Sequence, residues 1–74
     1  MSRLIRMDQT GHTELAQWDA ADPASVETAV EAFRRELDRG YFAMVSTGPG
    51  HAEQVRDLPL DADTVILRLP ISGG

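Results

Sequence analysis

The sequence predicts an α+β domain in which one helix packs across a single mixed sheet of four or five strands. One segment has its apolar residues at helical spacing, and the segments around it alternate apolar and polar residues, in the order β-β-α-β-β-β. A helix with one apolar stripe and strands with one apolar face can bury both surfaces only as two layers. At 74 residues, the chain is predicted to form one domain near the lower size limit for a stable core.

The helix is predicted to begin after Asp22, a residue type favoured at the N-cap, with Pro23 at the first helical position. Gly40 is predicted to end it, because glycine readily takes the left-handed conformation that follows a helix. Charged residues, Glu36 among them, are expected to cover the solvent side of the helix. The side expected to face the sheet is a single apolar stripe of Val26, Val30, Phe33 and Leu37.

Two strands are predicted before the helix, at residues 4–7 and 13–18, joined in a hairpin. In the first strand, Ile5 and Met7 are expected to face the helix. In the second strand, both sets of alternate residues contain apolar side chains, so the sequence does not show which face is buried. The large apolar area of the indole favours Trp18 as an inward-facing residue.

Three strands are predicted after the helix, at residues 41–47, 52–58 and 64–69. The Gly-Pro-Gly sequence at residues 48–50 predicts a turn between the first two of them. The middle strand is short and charged, which is typical of a sheet edge. Pro70 is expected to end the last strand because proline has no N–H for the ladder. The helix-facing residues of that last strand are expected to be Val65 and Leu67.

The opposite face of the sheet is predicted to mix apolar and arginine side chains. With Val65 and Leu67 inward, that face is expected to consist of Leu4, Arg6, Tyr41, Ala43, Val45, Ile66 and Arg68. This composition is typical of a protein-binding surface. The alternative is an ordinary solvated sheet face.

Composition excludes several classes of function. A net charge of −5 argues against nucleic acid or an anionic membrane as a partner. No segment has the pattern of a signal peptide or the length of a membrane span, and the absence of cysteine suits the cytoplasm. Two isolated histidines do not predict a metal site, and no serine has a recognisable base and acid around it. We therefore expect neither catalytic residues nor a bound metal or cofactor.

The residues after the last strand end in Gly73-Gly74. Without Cβ atoms, two glycines can thread a narrow channel toward another protein's active site. The other interpretation is an incidental frayed terminus. We expect a domain over residues 1–70 and a flexible tail over residues 71–74.

Two stretches of the sequence resemble the ubiquitin-like β-grasp family. Residues 10–13, Thr-Gly-His-Thr, are similar to ubiquitin's first hairpin turn, and residues 63–69 followed by Gly73-Gly74 are similar to its last strand and diglycine tail. The ending over residues 69–74 is equally similar to the small subunit of molybdopterin synthase and the thiamin sulfur carrier. Pro70 and Ser72 stand where ubiquitin's tail has arginines.

The resemblance implies a protein modifier whose terminal carboxylate is adenylated with ATP by a separate activating enzyme. Gly74 would be the reacting residue, while Gly73 with Pro70, Ile71 and Ser72 would form the arm that this enzyme recognises. A conjugating enzyme, an isopeptidase and target proteins with free amines would be further partners. The chain has no lysine, so conjugates would be single or joined through the α-amino group of Met1.

Two alternatives stay open. A sulfur carrier of the same fold would convert the carboxylate of Gly74 into a thiocarboxylate that donates sulfur. A non-covalent binding module would use only the sheet surface, and its diglycine would have no role.

Overall fold

The computed structural model describes residues 1–69, which form one five-stranded sheet with one helix across one face. The strand order is β2-β1-β5-β3-β4. β1 and β5 run parallel, and every other neighbouring pair is antiparallel. This is the α+β, β-grasp-like arrangement that the sequence predicts. In chain order the elements are β1 (Ser2–Asp8), β2 (Gly11–Trp18), α1 (Pro23–Asp38), β3 (Phe42–Gly48), β4 (His51–Val55) and β5 (Thr64–Arg68).

Both ends of α1 have the predicted caps. The side chain of Asp22 accepts a hydrogen bond from the backbone N–H of Ala24 at 3.2 Å. At the other end Gly40 has a φ of 99°, in the left-handed region. The N–H groups of Gly40 and Tyr41 donate to the carbonyls of Leu37 and Glu36 at 3.0 and 3.1 Å. These two bonds form a Schellman motif, which satisfies carbonyls that a helix end otherwise leaves unpaired.

The buried face of α1 is rotated from the predicted stripe. Phe33 lies in the core as predicted, but Val30 is only half-buried and does not belong to the core cluster. Ala29, which is fully buried, replaces it. A small residue at this point lets the helix approach the sheet closely. The core as a whole consists of Leu4, Trp18, Ala29, Phe33, Ala43, Val45, Val65 and Leu67.

The prediction of which residues of β1 and β3 face the helix is wrong, because it is shifted by one residue in each strand. Leu4 lies opposite Val65, and Val45 lies opposite Val65 on the other side. Directly paired residues share a face of a sheet, so Leu4, Ala43 and Val45 face the helix with Val65 and Leu67. Ile5 and Met7, which were expected there, face away from the helix. The alternation did not decide between the faces because both carry apolar residues.

A β-bulge explains the ambiguity of β2. Leu4 pairs with Ala16, but Ile5 pairs with Glu14, which leaves Leu15 as the extra residue. Because of the extra residue, the set of alternate residues that faces inward is not the same before and after the bulge. The consecutive residues Leu15 and Ala16 therefore both pack against the core. Trp18 is fully buried, as predicted.

The segment between β4 and β5 packs against the core on the helix side of the sheet. Leu58 and Ala62 pack against the core from this segment. The indole N–H of Trp18 donates to the carbonyl of Leu60 at 3.1 Å, which joins this segment to β2. β4 ends at Val55, three residues earlier than predicted, because the chain turns away from the sheet edge at that point.

A buried ion pair links β1 to the end of α1. Glu36 is 3% exposed, in contrast to the prediction that it faces solvent. Its two carboxylate oxygens accept hydrogen bonds from Arg6 at 2.9 Å and from Arg39 at 3.2 Å. The hydrogen bond to Glu36 raises the pKa of the Arg6 guanidinium above its ordinary value. Arg6 also lies over the ring of Tyr41, 6.0 Å from its centre.

We expect Phe33→Ala to lower the free energy of unfolding by about 3–5 kcal/mol, because it empties a fully packed site in the core. Val30→Ala should cost clearly less, since Val30 is half-buried outside the core cluster. Urea denaturation followed by circular dichroism measures both. Equal losses in the two variants would contradict the observed rotation of the helix.

We expect Glu36→Ala to lower the melting temperature by several degrees, because it leaves the partly buried Arg6 without its main partner. Glu31→Ala removes the same side chain from an exposed helix position and should change the melting temperature little. Thermal denaturation of both variants tests this, and similar effects in the two would contradict it.

Candidate functional site

The face of the sheet opposite α1 carries a cluster of apolar side chains on its three central strands. No described element covers it. We call it the outer patch, and it consists of Ile5, Met7, Phe42, Met44 and Ile66, all of them partly exposed to solvent.

Strand register places the outer patch in two rows. In the first row, Ile66 of the central strand lies opposite Ile5 on one side and Met44 on the other. In the second row, Arg68 lies between Met7 and Phe42. Side chains opposite each other in neighbouring strands are about 5 Å apart at Cβ, close enough for direct contact. The two rows therefore form one continuous apolar surface with a guanidinium in it.

An open groove runs along the outer patch on its β3–β4 side. Its volume is about 590 Å³. Phe42, Met44 and Ile66 form its apolar wall, and Ser46, His51 and Thr64 are among its polar lining residues. The groove is open to solvent along its length, so it fits an extended partner surface better than an enclosed small molecule.

The charge of the outer face differs from that of the whole chain. Arg68 donates to the sulfur of Met7 at 3.7 Å, and no carboxylate of the described residues lies within 4.0 Å of it. At the edge of this face, Arg3 and Glu14 form an exposed ion pair at 3.9 Å. The acidic excess lies elsewhere, for example on the exposed side of α1 at Glu27 and Glu31. The outer face is thus apolar and close to neutral, whereas the chain carries a net charge of −5.

The predicted composition of the outer face is correct in part. Ile66 and Arg68 do lie on the outer face. Leu4, Ala43 and Val45 are buried beneath the helix, with exposures of 0, 0 and 9%. They cannot contact a partner without unfolding of the domain.

Arg6 and Tyr41 were also expected on the outer face, and this too is wrong. Arg6 pairs with Leu67 and so faces α1, and Tyr41 packs against the core from the residue before β3. The Nε of Arg6 lies 3.5 Å from the Oδ2 of Asp8 without forming a hydrogen bond, so within the described residues this buried N–H has no partner. Hydrogen bonds from Thr10 lower the pKa of Asp8.

Four residues of the outer patch were missed by the sequence analysis: Ile5, Met7, Phe42 and Met44. A signal for two of them was present, because Phe42 and Met44 are larger than Ala43 and Val45. A helix can approach small side chains closely, and the larger set is then left on the open face. The Ile5 and Met7 set carries no such signal, since Leu4 and Ile5 are similar in size.

The chain leaves the sheet from its central strand. β5 ends at Arg68 between Met7 and Phe42, and Leu69 is 50% exposed. Pro70 and the predicted tail residues Ile71, Ser72, Gly73 and Gly74 lie outside the described residues.

Residues 1–69 contain no group of three or more histidine, cysteine, aspartate or glutamate side chains that could hold a metal ion. No helix among them is both long enough and apolar enough to cross a membrane.

No protein-family model, curated protein or solved structure matches this chain. A functional proposal therefore depends on the residues and topology of the chain itself.

We expect Ile66→Glu to leave the protein folded with a small loss of stability, because its side chain reaches solvent on the outer face. Val65→Glu, at the neighbouring and fully buried position, should prevent folding, because it places an unpaired charge in the core. Circular dichroism and amide NMR spectra distinguish the two results. If both variants fold, or if neither does, the assignment of the two faces is wrong.

Proposed function

We propose that this protein is a ubiquitin-like modifier whose diglycine carboxylate is adenylated by a separate enzyme and joined to amines of target proteins. The observation that carries the proposal is the position of β5. It is the central strand, held by β1 and β3, and the diglycine follows it within six residues. A tail that continues from the best-supported strand of a small domain starts from a fixed place on the surface.

The reach of the tail suits a reaction in another protein's active site. Residues 69–74 span at most about 20 Å when extended, at 3.3–3.6 Å per residue. Gly73 and Gly74 have no side chains and can enter a narrow channel. Pro70 restricts the backbone at the start of the tail and lowers the entropy lost on docking.

The outer patch gives an activating or conjugating enzyme a surface to hold while the tail reacts. It borders the point where β5 ends, so one partner can contact both at once. Its centre is apolar with one arginine, which is the composition found in the cores of protein interfaces. The protein itself supplies no catalytic group in this scheme, and ATP is bound by the partner.

The chemistry at Gly74 follows from the low reactivity of a carboxylate. A carboxylate oxygen attacks the α-phosphorus of ATP and pyrophosphate leaves, which produces an acyl adenylate. A nucleophile then displaces AMP from the carbonyl carbon. The proposal requires that the mature chain end at Gly74, either as synthesised or after cleavage of a longer precursor.

A sulfur carrier of the same fold is the second candidate. It is favoured by the tail, in which Pro70 and Ser72 stand where ubiquitin has arginines. In that case a sulfur nucleophile displaces AMP and leaves a thiocarboxylate at Gly74. A non-covalent binding module, the third candidate, would use the outer patch alone.

We expect deletion of Gly74 to abolish conjugation in the native host while the melting temperature stays unchanged. The deletion moves the carboxylate by about 3.5 Å, and a displacement of this size costs a positioned reaction on the order of 100-fold or more. Gly74→Ala should be impaired more mildly, because it keeps the length of the tail. Denaturing gels of epitope-tagged protein measure the adducts, and Ile66→Glu tests the contribution of the outer patch.

Mass spectrometry separates the candidates. Trypsin cleaves this chain after Arg68, so the remnant Leu-Pro-Ile-Ser-Gly-Gly on lysines of other proteins identifies a modifier. Exchange of one terminal oxygen for sulfur identifies a carrier. If the intact mature chain does not end at Gly74, or if the deletion changes nothing and neither mark is found, both covalent functions are wrong.

A further inference from the structure

A second cleft lies on the helix side of the domain, away from the outer patch. It has a volume of about 200 Å³ and separates α1 from the segment that follows β4. Its apolar lining comes from both sides, and its charged lining comes from two arginines and one aspartate. The lining residues are Val30, Phe33, Arg34, Arg56, Asp57, Leu58 and Leu60.

The two arginines reach this cleft from different elements. Arg34 belongs to α1, and Arg56 directly follows β4. Within the described part of the chain, no carboxylate lies within 4.0 Å of either guanidinium. Arg6 and Arg39, by contrast, both pair with Glu36. With Asp57, the cleft has a net charge of +1 in a chain whose net charge is −5.

We propose that this cleft binds a short segment of a partner protein that presents an aliphatic side chain beside one carboxylate. The aliphatic side chain enters between Val30 and Leu58, and the carboxylate lies between Arg34 and Arg56. The cleft is smaller than the ~300–1,000 Å³ typical of small-molecule pockets, which favours a single side chain as occupant. This interaction is independent of the diglycine chemistry and uses a different face of the domain.

The net charge of the cleft favours a ligand that carries one negative charge. One carboxylate balances the net charge of the cleft, whereas a phosphate dianion would leave the occupied cleft with a net charge of −1. Arginine forms paired hydrogen bonds with carboxylates, and in a partly apolar cleft these bonds are stronger than in water.

The fluorescence of Trp18 can report whether the cleft is occupied. Leu60 lines it, and the carbonyl of Leu60 accepts the hydrogen bond from the indole of Trp18 at 3.1 Å. Trp18 is the only tryptophan in the chain and is fully buried. Occupation of the cleft should therefore shift the tryptophan fluorescence, which binding at the outer patch should not do.

The test uses the full chain and a fluorescein-labelled peptide that carries one leucine next to one glutamate among glycine and serine residues. Amide NMR shifts at Val30, Leu58 and Leu60 locate the peptide, and fluorescence polarisation gives the Kd. Replacing glutamate by glutamine in the peptide should weaken binding about tenfold, and so should Arg56→Glu or Arg34→Glu in the protein. Arg35→Glu is the matched control, because it makes the same change in net charge at an exposed helix position outside the cleft.

Several results would overturn the proposal. If Arg35→Glu and Arg56→Glu weakened peptide binding equally, the effect would come from net charge and not from the cleft. Shifts centred on Met44 and Ile66 would place the peptide on the outer patch instead. Tighter binding of a phosphoserine peptide would exclude the carboxylate, and unchanged NMR spectra at millimolar peptide would exclude the site. Conjugation through Gly74 does not enter any of these measurements, so they can fail without affecting the proposed function.

Discussion

The pairing of Arg6 with Glu36 is the interaction on which the arrangement of this sheet depends. Both faces of β1 carry apolar residues, so hydrophobic burial alone favours neither face strongly. Glu36 lies on the buried side of α1 and needs a cation there, and only the register that places Arg6 inward supplies it from β1. A slip of one residue would send Arg6 to the outer face and leave a buried carboxylate without this partner, at a high cost in free energy.

Because β1 pairs with β5, the inward orientation of Arg6 also determines which residues of β5 face the helix. With Arg6 inward, Leu67 beside it is also inward, and so are Leu4 and Val65. The same register continues into β3, where Ala43 and Val45 complete the floor under Phe33 and Ala29. Every alternate residue of these strands must then face outward. The apolar outer patch is thus the necessary counterpart of the core.

This division leaves a small domain with two separate surfaces at which we propose that partners bind. The outer patch borders the end of β5, the strand from which the diglycine tail continues, and it is close to neutral. The cleft between α1 and the segment after β4 lies on the other side and is lined by two arginines. Because the sheet separates the two surfaces, the two proposed partners need not compete.

The amino-acid sequence by itself determined the number and order of the elements, the bounds of α1 to within a residue, its caps at Asp22 and Gly40, and the inward positions of Trp18, Phe33, Val65 and Leu67. These follow from local signals: capping residues, turn glycines and the spacing of apolar residues.

Only the tertiary structure decided which face of β1 and β3 is covered. Alternation fixes which residues share a face, but it does not choose between two faces that are both apolar. For β1 that choice follows the contact between Glu36 and Arg6, which lie 30 positions apart in the sequence. For β3 the smaller residues Ala43 and Val45 face the helix, and the larger Phe42 and Met44 face outward. The contact between Glu36 and Arg6 joins distant segments, and local sequence patterns do not encode it. The composition of the outer face was therefore predicted correctly for Ile66 and Arg68 and wrongly for Leu4, Arg6, Tyr41, Ala43 and Val45.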